Sequence, residues 1–397
     1  MRIATVPRAA GARGRVAHLT SVHPRHDTRI FMKQCRTLAA RGYDVTLVVA
    51  DGKGDEHKDG VAIADVGRLP GRINRILRST RRVFLKAAAL DAQIYHLHDP
   101  ELIPVGLSLK RMGKKVIFDS HEDVPQQLLD KPYLRPAALR LLARVFAAYE
   151  RYACARLDGI VGATPFIRDK FLRMNPHSID VSNFPLAGEL DAPVGWSDKR
   201  DEVCFVGGVD TIRGAREIVR ACALLRSPTR LNLAGQFTEA ALEASVKAEP
   251  GWQRVNELGF LDRAGVRAVL GRSVAGLVTS HPIGNFLYGQ PIKMFEYMAA
   301  GIPVIASNIP SWRGIVEGNQ CGICVDPFDP AAIAAAIDYL AANRDLAERM
   351  GENGKKAVRE RFNWEAEAEK LTAFYGEILR GIPVADTQGC ANTLPSC

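Results

Sequence analysis

The chain lacks the marks of several large protein classes. No apolar run reaches the ~20 residues that a membrane-spanning helix needs. No continuous apolar core follows the basic N-terminus, so a secretory signal is not predicted. No Gly-x-Gly-x-x-Gly follows the first strand-like segment, which argues against a nicotinamide-dependent dehydrogenase. These absences favour a cytoplasmic protein.

The eight cysteines form no recognisable framework. Cys321 and Cys324 have the spacing of a redox or metal-binding pair, but no second pair or histidine cluster stands near them in the sequence. Most of the others lie in apolar or helical surroundings, as small core residues of a reducing compartment do.

Acidic residues are missing from one stretch, residues 68–86, although the whole chain carries a net charge of +9. Its cations alternate with Ile, Leu, Val and Phe and are Arg68, Arg72, Arg75, Arg78, Arg81, Arg82 and Lys86. This pattern predicts a basic amphipathic helix that lies on an anionic membrane surface. A solvated helix face is the alternative. No nucleic-acid partner is expected, since no nucleic-acid motif accompanies the stretch.

Strand-like and helix-like segments alternate over residues 16–379, and the strand-like runs are almost continuously apolar. This is typical of parallel sheets covered on both faces, and 397 residues suffice for two such domains. We therefore predict an α/β protein with two doubly wound, Rossmann-like domains. The predicted boundaries are a disordered leader at 1–14, an N-terminal domain at 15–186, a linker at 187–201, a C-terminal domain at 202–364, a C-terminal helix at 365–380 and a tail at 381–397.

The most informative segment is 291–307. Its helix-like run carries Lys293 and Glu296, which are three residues apart and therefore share a helical face. Gly301 and Pro303 end the run, and an apolar strand-like run follows at once. A cation and a carboxylate near a helix start suit a ligand with both phosphates and hydroxyls. A solvated Lys-Glu pair is the alternative.

A second segment follows the strand-like run Val203–Val206. The small residues Gly207 and Gly208 would let the backbone approach a phosphate closely, and Arg213 could grip a diphosphate with two hydrogen bonds. The alternative is an ordinary turn with a surface arginine.

Two further strand ends, in the first domain, carry histidines. His96 and His98 are two apart on a strand and point the same way, so zinc is conceivable. A third ligand would have to come from afar, and no metal site is predicted. His121 and Glu122 follow another strand and could orient an acceptor hydroxyl. The alternative at the first strand end is a helix-capping aspartate, Asp99, with satisfied histidines.

The first strand-to-helix loop is rich in cations. Arg25, His26 and Arg29 would suit an acceptor that bears a diphosphate. Helix capping by Asp27 or Thr28 is compatible with this interpretation.

Three segments, in this order over nearly the whole chain, resemble retaining GT-B glycosyltransferases of family 4. They are His98-Asp99-Pro100, Gly207-Gly208 with Arg213-Gly214, and the segment from Pro291 to Val304. The resemblance implies two Rossmann-like domains facing a cleft, with the C-terminal helix crossing back to the first. It also implies sugar transfer from a nucleotide-diphosphate donor with retention of configuration, without metal or cofactor. The chain contains no Asp-x-Asp metal motif, in agreement with this.

The resemblance also assigns roles on the donor side. Glu296 is expected to accept hydrogen bonds from the nucleotide ribose, and Arg213 and Lys293 to stabilise the leaving diphosphate. Gly284 and Asn285 belong to the loop expected to cradle the sugar. Tyr288 stands where the family has its first glutamate, and Gly208 stands where it has its first cation. Lys293 is the expected replacement for that cation.

On the other side, His98 is expected to lie by the donor sugar. Asp99, His121, Glu122, Arg25 and His26 are expected on the acceptor side. The predicted function is transfer to a glycan or lipid-linked hydroxyl acceptor in cell-surface polysaccharide assembly, by a cytoplasmic protein peripheral to the inner membrane face. A non-catalytic sugar-nucleotide-binding protein and a GT-B-shaped epimerase are the alternatives.

Overall fold

The computed structural model describes residues 13–129, 136–191 and 194–381. Residues 1–12 of the predicted leader, 192–193 of the linker and 382–397 of the tail lie outside the described residues. The chain forms two compact units. Unit 1 ends at Ser182 and resumes at Glu367, and unit 2 is Asn183–Ala366. The sequence placed these boundaries at 186 and 364.

The sheet of unit 1 has the strand order β3-β4-β2-β1-β5-β6-β7-β8. Its members pair in parallel, except that β3 and β4 are antiparallel at one edge. The strands are β1 (Arg15–Leu19), β2 (Asp44–Val49), β3 (Glu56–Lys58), β4 (Val61–Asp65), β5 (Ile94–Leu97), β6 (Lys115–Ser120), β7 (Gly159–Gly162) and β8 (Ser178–Asp180).

Helices connect these strands and cover the sheet. They are α1 (Arg36–Ala40), α2 (Arg72–Asn74), α3 (Thr80–Leu90), α4 (Ile103–Arg111), α5 (Val124–Leu129), α6 (Pro136–Cys154) and α7 (Pro165–Leu172). Shorter helical segments precede some of them: π-helical Ile30–Cys35 before α1, π-helical Arg75–Ser79 before α3 and 3₁₀-helical Pro100–Leu102 before α4.

The central strands of unit 1 are buried on both faces. All four residues of β5 are buried, and β1 runs beside it in parallel with His18 opposite His96. Residues 367–380 of the last helix, α15 (Trp364–Arg380), also belong to unit 1. Phe374 packs so closely there that a Cβ on Gly159 would lie 2.4 Å from its ring, so β7 must begin with glycine.

Unit 2 has the strand order β11-β10-β9-β12-β13-β14, with parallel pairing. Its strands are β9 (Glu202–Val206), β10 (Arg230–Ala234), β11 (Val255–Glu257), β12 (Ala275–Val278), β13 (Val304–Ser307) and β14 (Gly322–Val325). Its helices are α8 (Ala215–Leu224), α9 (Ala240–Lys247), α10 (Arg263–Arg272), α11 (Ile292–Ala299), α12 (Pro310–Val316), α13 (Pro330–Ala342) and α14 (Arg344–Glu360), with 3₁₀-helical turns at Trp196–Asp198, Pro250–Arg254 and Gly284–Leu287.

Helix α11 is anchored to the centre of the sheet of unit 2. Met294, Phe295 and Tyr297 are buried against the strands. The backbone N–H of Val206, the last residue of β9, donates to the Tyr297 hydroxyl at 2.9 Å. This bond holds α11 beside the end of β9, and thereby brings together two of the segments singled out in the sequence.

The two-domain α/β prediction is confirmed, and the differences lie in short elements. Strands β3, β4, β8 and β11 were not predicted; three of them, β3, β8 and β11, have only three residues and carry little periodic signal. The predicted basic helix at 68–86 consists of three consecutive segments that begin only at Arg72 and continue to Leu90.

Among the described residues, no helix is both long enough and apolar enough to cross a bilayer.

Candidate functional site

A glycine turn follows β9 in unit 2. Gly207 has φ of +115°, a conformation that side chains with a Cβ rarely adopt. Farther along, Gly214 has φ of +75°, and a Cβ there would lie 2.4 Å from the carbonyl oxygen of Thr279 at the end of β12. The turn is therefore held tightly against the next strand, and α8 begins directly after it.

Lys293 reaches back from the first turn of α11 to this glycine turn. Its Nζ is buried and has no hydrogen-bond partner among the described residues. It lies 3.5 Å from the centroid of the Phe205 ring, a cation–π contact. Burial, and secondly the positive charge of Arg213, lower the pKa of Lys293 to about 7. Because an unpaired buried ammonium is costly, this position suits an anion that is not part of the protein.

Arg213 lies on the other side of the turn and is partly exposed. Its guanidinium pairs with Asp210, whose carboxylate also accepts the backbone N–H of Arg213 at 2.8 Å. Its Nη1 lies 3.6 Å from where a Cβ on Gly208 would be. Arg213 and Lys293 thus border the same glycine turn.

Glu296 is buried one turn farther along α11. Its Oε1 accepts a hydrogen bond from Arg263 Nη1 at 2.6 Å, and the same guanidinium donates from Nε to Glu189 at 2.7 Å. The carboxylate predicted to bind ribose is therefore held by an arginine at the start of α10. Its other oxygen, Oε2, forms no hydrogen bond or ion pair with a described residue.

The predicted sugar loop is a 3₁₀ turn, Gly284–Leu287, that begins with a left-handed Gly284 (φ +51°). The Asn285 side chain lies outside what the structure describes. Tyr288 is about half exposed at the end of this turn. Earlier in the same connection, the His281 ring packs against Phe328 and lies 3.4 Å from the Glu217 carboxylate.

In unit 1, His98 points into the interior. Its Nε2 lies 2.8 Å from His18 Nδ1, and its Nδ1 lies 3.3 Å from Asp119 Oδ2. Burial lowers the pKa of His98 to about 3, against the opposing effect of Asp119. Burial alone would raise the pKa of Asp119, but the bidentate pair with Arg29 (2.7 and 3.0 Å) holds it well below its usual range.

Asp99 follows β5, and its carboxylate accepts hydrogen bonds from residues just after β1. Its Oδ2 accepts from the Thr20 hydroxyl at 2.9 Å and from the backbone and side chain of Ser21, and its Oδ1 lies 2.9 Å from His23 Nδ1. Burial would lower the pKa of His23, but this pairing raises it. His121, whose Nε2 lies 3.4 Å from Asp119, has its ring centroid 5.1 Å from that of His23.

The other predicted acceptor-side residues lie in different surroundings. Arg25 is buried and donates to Asp51, Glu56 and the Gly54 carbonyl at 2.8–2.9 Å, while His26 lies 3.3 Å from Glu56. Glu122 is exposed and accepts from Gln127. The structure thus gathers Asp99 and His121 at the end of the sheet, and gives Arg25, a predicted diphosphate ligand, three internal acceptors.

Four residues that sequence reasoning left unassigned complete these surroundings. Arg263 holds Glu296, His23 pairs with Asp99, His18 contacts His98, and the Tyr375 hydroxyl lies 2.6 Å from His96 Nδ1. Of these four, only His18 could have been noticed in the sequence, as a histidine inside the apolar strand β1. The remaining contacts join positions dozens to hundreds of residues apart, which no local pattern shows.

The comparisons with known proteins identify the family and the fold. Residues 28–181 match the family described as Glycosyltransferase Family 4, and residues 188–357 match the family described as Glycosyl transferases group 1. The two matches meet near the boundary between unit 1 and unit 2 and together span most of the chain. The protein belongs to the family 4 glycosyltransferases.

One similar protein is the phosphatidyl-myo-inositol mannosyltransferase of Mycobacterium leprae. It is 25% identical over 357 residues, which cover 86% of this chain and 88% of that protein. A sucrose-phosphate synthase from Thermosynechococcus elongatus has a similar structure, with a TM-score of 0.75 at 19% identity, covering 93% of this chain and all of that one. Anabaena HepE, solved in complex with UDP-glucose, aligns with a TM-score of 0.69 at 12% identity, over 92% of this glycosyltransferase and all of HepE. The predicted GT-B fold is therefore confirmed.

Proposed function

We propose that this glycosyltransferase moves a sugar from a nucleotide-diphosphate sugar to a hydroxyl of a glycan or lipid-linked acceptor, in the assembly of a cell-surface polysaccharide. Unit 2 would bind the donor. Retention of configuration, and a transfer step without a metal, are what the family resemblance leads us to expect. The site of action would be the cytoplasmic face of the membrane.

The observation that carries the proposal is the unpaired Lys293 ammonium beside the glycine turn. A diphosphate at the turn would receive the backbone N–H of Gly208, since that of Gly207 already donates to the Ala234 carbonyl at 2.9 Å, together with the charges of Lys293 and Arg213. Such charges stabilise the negative charge that develops on a leaving diphosphate, and would be the main source of catalysis. Lys293 thereby replaces the cation that the family has at position 208.

Glu296 supports the assignment of a nucleotide. A buried carboxylate held on one oxygen by Arg263 keeps acceptor capacity on the other, as the vicinal hydroxyls of a ribose require. HepE was solved with UDP-glucose, which shows a nucleotide sugar bound to a protein of the same fold. Tyr288, in place of the family's glutamate, would contact the sugar through a hydroxyl instead of a charge.

The surface of unit 1 supports a membrane-proximal acceptor. The helical stretch from Arg72 to Leu90 exposes apolar side chains at 40–74% of their area, namely Ile73, Ile76, Leu77 and Leu85. Arg78, Arg81 and Arg82 are exposed on the same stretch and form no ion pair with a described residue. Apolar side chains flanked by unpaired cations suit an anionic lipid surface.

Helix α6 extends this surface. Its exposed apolar residues are Leu141, Leu142, Val145 and Tyr152, and its exposed charges are all arginines, since its one acid, Glu150, is buried and paired with Lys170. Helix α4 packs against both α3 and α6, so the three helices lie in one layer over the sheet of unit 1.

The experiment that tests the function follows the donor by proton NMR, in the presence and absence of polyprenyl-diphosphate-linked and free oligosaccharides. A transferase yields nucleoside diphosphate and a new glycosidic anomeric signal only with acceptor, and the coupling constant of that signal reports retention. Conversion of the donor sugar without acceptor would indicate an epimerase. Donor binding without any product over all acceptors would favour a non-catalytic binding protein.

A further inference from the structure

Three histidine rings lie together inside unit 1. His18 comes from β1, and His96 and His98 from the neighbouring β5, where parallel register puts His18 opposite His96. All three are at most 2% exposed. One ring nitrogen of each lies within 4.8 Å of those of the other two. The third ligand that the sequence of β5 lacks is thus supplied by β1.

One nitrogen of each ring, here called the outward nitrogen, faces a polar group outside the cluster. His96 Nδ1 lies 2.6 Å from the Tyr375 hydroxyl, and His18 Nε2 lies 3.3 Å from the same oxygen. His98 Nδ1 lies 3.3 Å from the Asp119 carboxylate. Partners of this kind fix the tautomer and orientation of metal-binding histidines.

The nitrogens that remain are His18 Nδ1, His96 Nε2 and His98 Nε2. His96 Nε2 is buried and has no hydrogen-bond partner among the described residues. His18 Nδ1 and His98 Nε2 are 2.8 Å apart. One of these two nitrogens donates a hydrogen bond to the other, and the Tyr375 hydroxyl can donate to one of its two histidine neighbours and accept from the other. A cation bound to the three nitrogens would displace that shared proton and satisfy His96 Nε2, which has no partner among the described residues.

We propose that His18, His96 and His98 form a zinc site in the interior of unit 1. Three imidazole nitrogens suit Zn²⁺, which takes them together with one further ligand in a tetrahedral arrangement. The ion would tie β1 to β5 and, through Tyr375, fix α15 on the same unit. The ion would lie in unit 1, whereas the diphosphate turn belongs to unit 2, so the proposal does not rest on the proposed function. It would engage the His98 ring, which the family resemblance placed by the donor sugar, and so departs from that expectation. The proposal also departs from the sequence expectation of no metal, which followed from the missing third ligand.

The test uses the full, untagged chain, stripped with a chelator and titrated with zinc chloride against a chromophoric chelator. We expect one equivalent to bind tightly, and Co²⁺ to give the intense visible absorption of a tetrahedral site. His18→Gln and His96→Gln should each weaken zinc binding at least about tenfold. His57→Gln, on an exposed residue of β3, is the matched control and should bind like wild type.

Two further arms keep the result decisive. Zinc should raise the melting temperature of the wild type by mass action but not that of His96→Gln. His98, Asp119 and His121 form a second possible set of metal ligands, but Asp119 is already paired with Arg29. His121→Gln should therefore leave zinc binding unchanged. The proposal is overturned if the wild type binds no stoichiometric zinc, if Co²⁺ gives a weak octahedral spectrum, or if His121→Gln alone abolishes binding. The wild-type titration and Co²⁺ spectrum decide the matter even if a histidine variant does not fold.

Discussion

Lys293 Nζ lies 3.5 Å from the centroid of the Phe205 ring, in a buried position with no hydrogen-bond partner among the described residues. The ring belongs to β9 and the lysine to α11, so the contact joins the two segments to which the proposed function assigns the donor. An ammonium held only by an aromatic face keeps all three N–H donors available. The structure thus places an amino group next to the glycine turn with no hydrogen-bond partner among the described residues.

Replacing Lys293 should affect nucleoside diphosphate binding and the free energy of unfolding in different ways. Lys293→Met should weaken binding of UDP, GDP or whichever nucleoside diphosphate the protein prefers by at least about tenfold, because a charge-assisted hydrogen bond is lost. The free protein should be as stable as wild type or more so, since an unpaired buried charge has been removed. Calorimetric titration and urea unfolding measure the two effects. Lys356→Met, on an exposed lysine of α14, is the control and should change neither.

The pKa of Lys293, about 7, makes both properties depend on pH. Nucleoside diphosphate binding should weaken as pH rises through 7, because the free protein loses the ammonium proton. The folded pKa lies below the unfolded value of 10.5, so between these values the unfolded chain binds the extra proton. The free energy of unfolding should therefore rise with pH over that window. Titrations and unfolding at pH 6, 7.5 and 9 measure both trends, and Lys293→Met should flatten them. A lysine contribution of the opposite sign would contradict the assigned pKa shift.

Arg263 is expected to act through Glu296. Arg263→Leu removes the 2.6 Å hydrogen bond and leaves a buried carboxylate with one partner fewer. Because the arginine is itself partly exposed, we expect a loss of only about 1 kcal/mol in the free energy of unfolding. Glu296→Gln should weaken nucleotide binding and remove most of that loss in the double variant, since the two residues interact. Additive effects in urea unfolding would show that the two side chains are independent.

The exposed arginines and apolar side chains of unit 1 are expected to bind anionic lipid vesicles. Arg78→Glu with Arg81→Glu should reduce binding to phosphatidylcholine–phosphatidylglycerol vesicles at least about tenfold, since each cation near an anionic surface contributes about 1 kcal/mol. Leu141→Ser with Val145→Ser should also reduce it, through lost apolar burial. Arg349→Glu with Arg359→Glu makes the same change of charge on exposed residues of α14 and serves as the control. Equal sedimentation of all variants with the vesicles would rule out these surfaces.

Much of the fold was predictable because it depends on local patterns. Apolar runs of four to six residues marked β1, β2, β5, β6 and β7, and the Gly-Ile-Pro stop marked the end of α11. The basic stretch was recognised as helical, although its start was placed four residues early. The short edge strands β3 and β11 were missed, since three residues do not establish a period.

The site was predictable only where residues lie close in sequence or match the family. Lys293 and Glu296 were identified by their spacing and by the resemblance. Arg25 was assigned to an acceptor because sequence shows its charge, but not that Asp51 and Glu56 would surround it. Tyr375 is 279 residues from His96, a contact that only the packing of α15 on unit 1 creates.

The most direct test of the donor site is calorimetric titration of the wild type and Glu296→Ala with UDP-, GDP-, ADP- and TDP-sugars at pH 6.5, where Lys293 is largely protonated. We predict that one nucleotide class binds the wild type, and that Glu296→Ala weakens this binding at least about tenfold through lost hydrogen bonds to the ribose. Binding of no nucleotide sugar, or equal binding by Glu296→Ala, would contradict the assignment of unit 2 as the donor-binding unit.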